Sequence, residues 1–151
     1  MSSLTYFNAT LPCRRCSHVG TAWIPSGLGS HGATYHVGDC PGDDIPPVDF
    51  EDTSFRVQPV EPNGSIHLLL SWTCESCGAE TFAEVVFADG CVRSIEAVEL
   101  DPQTLSRLHY IAKRLDDMLQ AIVGESLYDG PDLRPDWLAR LRSALELGRR
   151  W

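Results

Sequence analysis

Basic side chains are scarce at the front of this chain. Residues 1–100 hold four arginines against thirteen aspartates and glutamates, while residues 101–151 hold eight basic and eight acidic side chains. The whole net charge of −9 therefore lies in the first hundred residues. That balance argues against a general nucleic-acid binder, which draws on many Lys or Arg contacts to phosphate. Other features are missing as well. No apolar run approaches the roughly 20 residues of a membrane span. Met1-Ser2-Ser3-Leu4-Thr5 has neither the basic start nor the apolar core of a signal peptide. A cytoplasmic protein with no membrane contact is the expectation. Gly-x-Ser-x-Gly, His-Glu-x-x-His, a phosphate-binding glycine loop and a dinucleotide fingerprint are all absent, so no enzyme activity is expected.

Cysteine is what the chain does have. In a reducing compartment, six cysteines read as ligands and spare thiols rather than as three disulfides. Four of them form two pairs, Cys13-Arg14-Arg15-Cys16 and Cys74-Glu75-Ser76-Cys77, each placed between strand-like runs. Two cysteines three apart on a tight turn can face one ion, and backbone N–H groups of that turn can donate to their sulfurs. Gly78 follows the second pair and suits such a turn, because glycine accepts positive φ. Ser17 stands at the equivalent place after the first pair, where the turn is less well specified. Arg14 and Arg15 could offset part of the charge of a four-thiolate centre. Zinc favours four tetrahedral ligands and takes thiolate readily. The expected ligands are therefore Cys13, Cys16, Cys74 and Cys77, around a structural Zn²⁺.

The pattern resembles a zinc ribbon with rubredoxin-like knuckles, covering about residues 5–24 and 65–99. It departs from the commoner arrangement in its spacer, where 57 residues separate Cys16 from Cys74 instead of roughly 15–20. A long insertion adds little loop-closure entropy, so the knuckles can still meet.

The remaining elements follow from turn signals and periodicity. Residues 4–11 and Val19–Ile24 read as strands flanking the first knuckle. Frequent Gly and Pro from Pro25 to Pro47 exclude a helix there. Within that stretch, Thr34–Val37 reads as a short strand ending in a Gly38-Asp39 turn. Phe55–Val60 and Ser65–Thr73, separated by Pro62-Asn63-Gly64, read as a hairpin, and Phe82–Ala88 and Cys91–Val98 as another around Asp89-Gly90. At Asp101-Pro102 an N-cap with a first-turn proline opens a helix. Leu105, Leu108, Ile111, Leu115, Leu119 and Ile122 recur at helical spacing up to Gly124. A second helix runs from Pro135 to Gly148. The expected fold is α+β. An antiparallel zinc-ribbon-like β domain with inserted strands over 1–100 is followed by a two-helix hairpin over 101–151, packed on it.

Other reactive residues have bland readings. Cys91 is expected to be a small buried residue and Cys40 a loop thiol, with a second metal site from Cys40, His31 and His36 as the alternative. His18 reads as a bystander near the metal, and His67 and His109 as packing or surface residues. The arginines around Trp137 and Trp151 complement a helix dipole. The acidic cluster Asp43, Asp44, Asp49, Glu51 and Asp52 is the candidate face for a basic protein partner. These features point to a non-catalytic zinc-binding protein-interaction module, such as an immunity protein or an adaptor subunit. A nucleic-acid-binding zinc ribbon is the alternative, and a metal-dependent redox protein ranks below it.

Overall fold

The computed structural model describes residues 5–26, 33–41, 54–61, 64–112, 115–126 and 136–147. Among them the order is β1 Thr5–Pro12, β2 Val19–Ser26, β3 Thr34–Tyr35, β4 Ser54–Arg56, β5 Ile66–Thr73, β6 Glu80–Ala88 and β7 Cys91–Val98. The chain continues as α1 Pro102–Arg107, β8 Tyr110–Ala112, α2 Asp116–Val123 and α3 Trp137–Glu146. The strands form a three-stranded sheet, β2-β1-β3, and a five-stranded sheet, β4-β8-β5-β6-β7. The fold is α+β, with mostly antiparallel pairing; β3 on β1 and β8 on β5 are the parallel ladders.

Local chemistry explains the hairpins. Asp89 and Gly90 both take positive φ, at 54° and 75°, and close β6 onto β7 with Ala88 opposite Cys91. That is the two-residue turn whose twist matches the flanking strands. Along β1, Phe7 and Leu11 point inward while Asn8 and Thr10 do not. The Phe7 ring meets Phe87 of the larger sheet edge-on at 5.7 Å, so the two sheets share one core. In β5 every residue from Leu68 to Trp72 is buried. It is buried on both faces because one side meets the small sheet and the other the helical layer. Phe82 and Val98 on that second side share a cleft with Ile122 of α2 and Leu145 of α3.

Two expectations are overturned. Residues 101–124 are not one helix. Asp101 does cap α1, its Oδ1 accepting from the Thr104 N–H at 2.7 Å, with Pro102 in the first turn. The helix then stops at Arg107, and residues 110–112 become β8. Gln58 donates to the Ser106 and Leu108 carbonyls at 3.0 and 2.8 Å, satisfying acceptors that a continuing helix would use itself. The His109 N–H donates to the His67 carbonyl, and the Val57 N–H to the His109 carbonyl, which draws the chain into the sheet. Helical structure resumes in α2 and ends where expected, with Gly124 at φ 91°. Among the described residues, three short helices thus stand in place of the two-helix hairpin, with α3 packed on both α1 and α2. The second correction follows from the first. β4 does not pair with β5 as a hairpin, because β8 lies between them. No helix among the described residues is long and apolar enough to cross a membrane.

Candidate metal centre

The two knuckles repeat one another bond for bond. The Cys13 N–H donates to the His18 carbonyl and the Ser17 N–H to the Cys13 carbonyl, at 2.8 and 2.9 Å. In the second knuckle the Cys74 N–H donates to Ala79 and the Gly78 N–H to Cys74, both at 2.9 Å. The Arg15 and Ser76 N–H groups approach the Cys13 and Cys74 sulfurs at 3.4 Å. Both turns need a left-handed residue, and they take it at Ser17 (φ 65°) and Gly78 (φ 72°). The register of β1 on β2 and of β5 on β6 then carries each knuckle to the same end of the sandwich.

There the four expected cysteines converge. All four sulfurs lie within 4.8 Å of one another. Cys13 Sγ is 3.8 Å from Cys77 Sγ, and Cys16 Sγ is 3.7 Å from Cys74 Sγ. A tetrahedral zinc with bonds of about 2.3 Å would set its sulfurs about 3.8 Å apart. The residues therefore fit a metal ion. Cys13 and Cys74 are buried, whereas Cys16 and Cys77 face solvent.

Proton competition among the thiols points the same way. Burial pushes the Cys13 thiol up, but hydrogen bonds from the Cys16 and Arg15 backbone and from neighbouring thiols outweigh it and bring it down to about 7. The Cys77 backbone N–H lowers Cys74, against its burial. Cys77 is the exception. The Ala79 N–H lowers it, yet partial desolvation of its sulfur by the cluster and three sulfur neighbours prevail and push it up to about 11. Cys13 and Cys74 are thus lowered while Cys77 is raised, an uneven sharing of protons that a bound dication would relieve.

His18 is not a fifth ligand. Its Nε2 lies 3.3 Å from Glu75 Oε1, joining the two knuckles on the solvent side. Gly20 leaves the space for that pair, since a Cβ there would sit 2.7 Å from the Glu75 carboxylate oxygen. Arg14 pairs with Glu99 at 3.8 Å.

The other two cysteines correct an expectation. Cys40 and Cys91 are joined in a disulfide, 51 residues apart, and are neither a loop thiol and a packing residue nor part of a second metal site. The pairing follows from backbone structure that no cysteine spacing reveals. The Gly38 N–H donates to the Val92 carbonyl and the Val92 N–H to the Asp39 carbonyl, both at 2.8 Å, which lays the turn after β3 along β7. His36 faces Asp39, and His31 lies outside the described residues. The acidic cluster Asp43, Asp44, Asp49, Glu51 and Asp52 also lies outside them.

A polar cluster under the helical layer escaped the sequence reading. Glu84 sits in the middle of β6 with only 4% of its surface exposed. Arg107 of α1 grips its carboxylate through Nε at 2.8 and 3.0 Å, and His67 Nδ1 lies 2.5 Å away. The His67 N–H donates to His109 Nδ1 at 3.0 Å, which fixes that nitrogen as an acceptor. Burial pushes the Glu84 carboxyl up, but Arg107 and His67 outweigh it and hold it below the usual range. Burial, then the nearby His67 charge, lowers His109. The signal was a lone Glu within the apolar run Phe82–Phe87, which demands a partner when buried.

Comparison of the chain with models of protein families, with curated proteins and with solved structures finds no match. The fold and the site define an α+β protein with two sheets among the described residues, whose four-cysteine cluster suits a metal ion.

Proposed function

We propose that this chain is a non-catalytic protein-interaction module whose sheets are held together by a structural zinc ion in a zinc-ribbon-like pair of knuckles. The observation that carries the reading is the closure of the sulfur cluster. Four thiolates at tetrahedral spacing leave no coordination position for water or substrate, and such closed sites stabilise folds rather than catalyse reactions. The partner is a protein with a basic surface, because the charge of −9 lies in the front hundred residues and favours a cationic counterpart. An immunity protein that neutralises a toxin is one concrete form, and an adaptor subunit is another. Residence is proposed to be cytoplasmic, a compartment in which the Cys40–Cys91 disulfide would be open to reduction.

Affinity purification of the tagged chain from its native host, with elemental analysis of the product, tests the proposal. One zinc per chain and a stoichiometric protein partner that dissociates as salt rises are expected. Iron in place of zinc, or a chain that stays monomeric and partner-free at low salt, would sink it.

A further inference from the structure

The cleft between the first knuckle and the helical layer has a chemistry that the metal centre does not use. Its volume is about 280 Å³, at the small end of ligand sites and suited to a body of one or two rings. The floor is largely apolar, formed by Phe82, Val98, Leu100, Ile122 and Leu145, with Thr81 also in the lining. The mouth is charged, lined by Arg14 and Arg15 of the first knuckle and by Glu80 and Glu99.

Two of the four basic residues among the first hundred stand at this one opening, in the part of the chain that carries the acidic excess. The Arg14–Glu99 pair at the mouth is long, at 3.8 Å, and both side chains are half exposed. Such a pair is held weakly, so a stronger anion can replace it at little cost. The two carboxylates at the mouth oppose a second negative charge, which disfavours phosphate esters and dicarboxylates.

We infer that this cleft is a binding site for an apolar monoanion, an aromatic or branched monocarboxylate whose body rests on the floor and whose head is taken by Arg14 in place of Glu99. The guanidinium matches a carboxylate in a two-pronged geometry. Both arginines sit between ligands Cys13 and Cys16, so the knuckle that encloses the ion also sets their position. The inference stands apart from the protein-partner reading, since it concerns a different face of chemistry and a small ligand.

Titration with 1-naphthoate, followed by amide shifts in the metal-loaded protein, tests it. 1-Naphthalenemethanol serves as the uncharged analogue and naphthalene-1,8-dicarboxylate as the doubly charged one. Naphthoate should bind with shifts centred on residues 80–82, 98–100 and 145, about tenfold more tightly than either analogue. The R14S/R15S double variant should lose that advantage over the alcohol while still binding both weakly. Its retained metal content would show that the knuckle is intact. Leu145→Trp should fill the cleft and remove binding; the wild-type shift map decides the matter if that variant does not fold. Equal affinity for acid and alcohol, shifts elsewhere, or no binding at low millimolar naphthoate would each overturn the assignment. None of these outcomes touches the partner purification, so the two readings fail separately.

Discussion

Ser17 and Gly78 occupy equivalent places in the two knuckles, and only one of them suits the conformation. A non-glycine residue in the left-handed region costs about 1–2 kcal/mol. Ser17→Gly is therefore expected to raise stability by up to about 1 kcal/mol, after allowance for the greater freedom of glycine when unfolded. Gly78→Ala should lower it by about 1 kcal/mol through backbone strain alone, as no atom beyond its chain neighbours lies within 4 Å of the added methyl. Denaturant melts of the metal-loaded variants check both signs. Glu84 presents the opposite case, a charge in an apolar place. Arg107→Ala leaves its carboxylate with His67 as the one remaining charge partner in the cluster. The expected cost is about 2 kcal/mol, below that of a fully enclosed pair because the Arg107 side chain is 40% exposed. The pH dependence has a fixed sign. A lowered carboxyl contributes its stability above the ordinary carboxylate value and loses it as pH falls through the lowered folded value. The lowered His109 acts in the same direction at a higher pH, since its protonation opposes folding. Wild-type stability should thus fall on acidification, and the gap to Arg107→Ala should narrow, which melts over an acid pH series would reveal. A constant gap would mean that Arg107 acts by packing alone.

At the level of elements, the residues that turn the chain were legible and the burial of what lies between them was partly misleading. The knuckle cysteines, Asp89-Gly90, the Asp101 cap and Gly124 act locally, and each does what its type dictates. Removing the cap by Asp101→Ala should cost about 1 kcal/mol, measured by thermal melting. The stretch from Leu105 to Ile122 shows how a pattern can report burial without reporting conformation. All six apolar residues of the stripe are buried, as a helix would require. Yet Ile111 is buried as the middle residue of a strand enclosed on both faces, where no alternation exists to betray it. The hairpin expected between β4 and β5 failed for the same reason, as a strand from later in the chain took the intervening place. His67, Glu84 and Arg107 were invisible as a group because only sheet register and the path of α1 bring them together.

Across the whole molecule, the four-cysteine cluster and the metal ion it suits would join β1–β2 of the small sheet to β5–β6 of the larger one. Removal of the ion should be felt by both sheets together. If the ion is zinc, as proposed, and its free concentration exceeds the dissociation constant a thousandfold, binding would contribute about 4 kcal/mol. Strong chelation, or Cys16→Ser and Cys77→Ser together, should therefore lower the melting temperature by roughly 8–16 degrees. A melting curve unmoved by chelation, in protein that had contained zinc, would remove the ion from the account of stability.

The Cys40–Cys91 bond adds a second tie between the same two sheets, and its position matters. β6 leaves the cysteine cluster at Glu80 and arrives beside Cys91 at Ala88, a run of roughly 27 Å at strand rise. The layers are clasped at both ends, by two chemistries that answer to different reagents. Under oxidising conditions a chelator frees one end and a reductant the other, and either leaves the interior shut at the far side. Exposure of the core then obeys a logical conjunction, in which proteolysis accelerates fully only when metal and disulfide are lost in the same molecule.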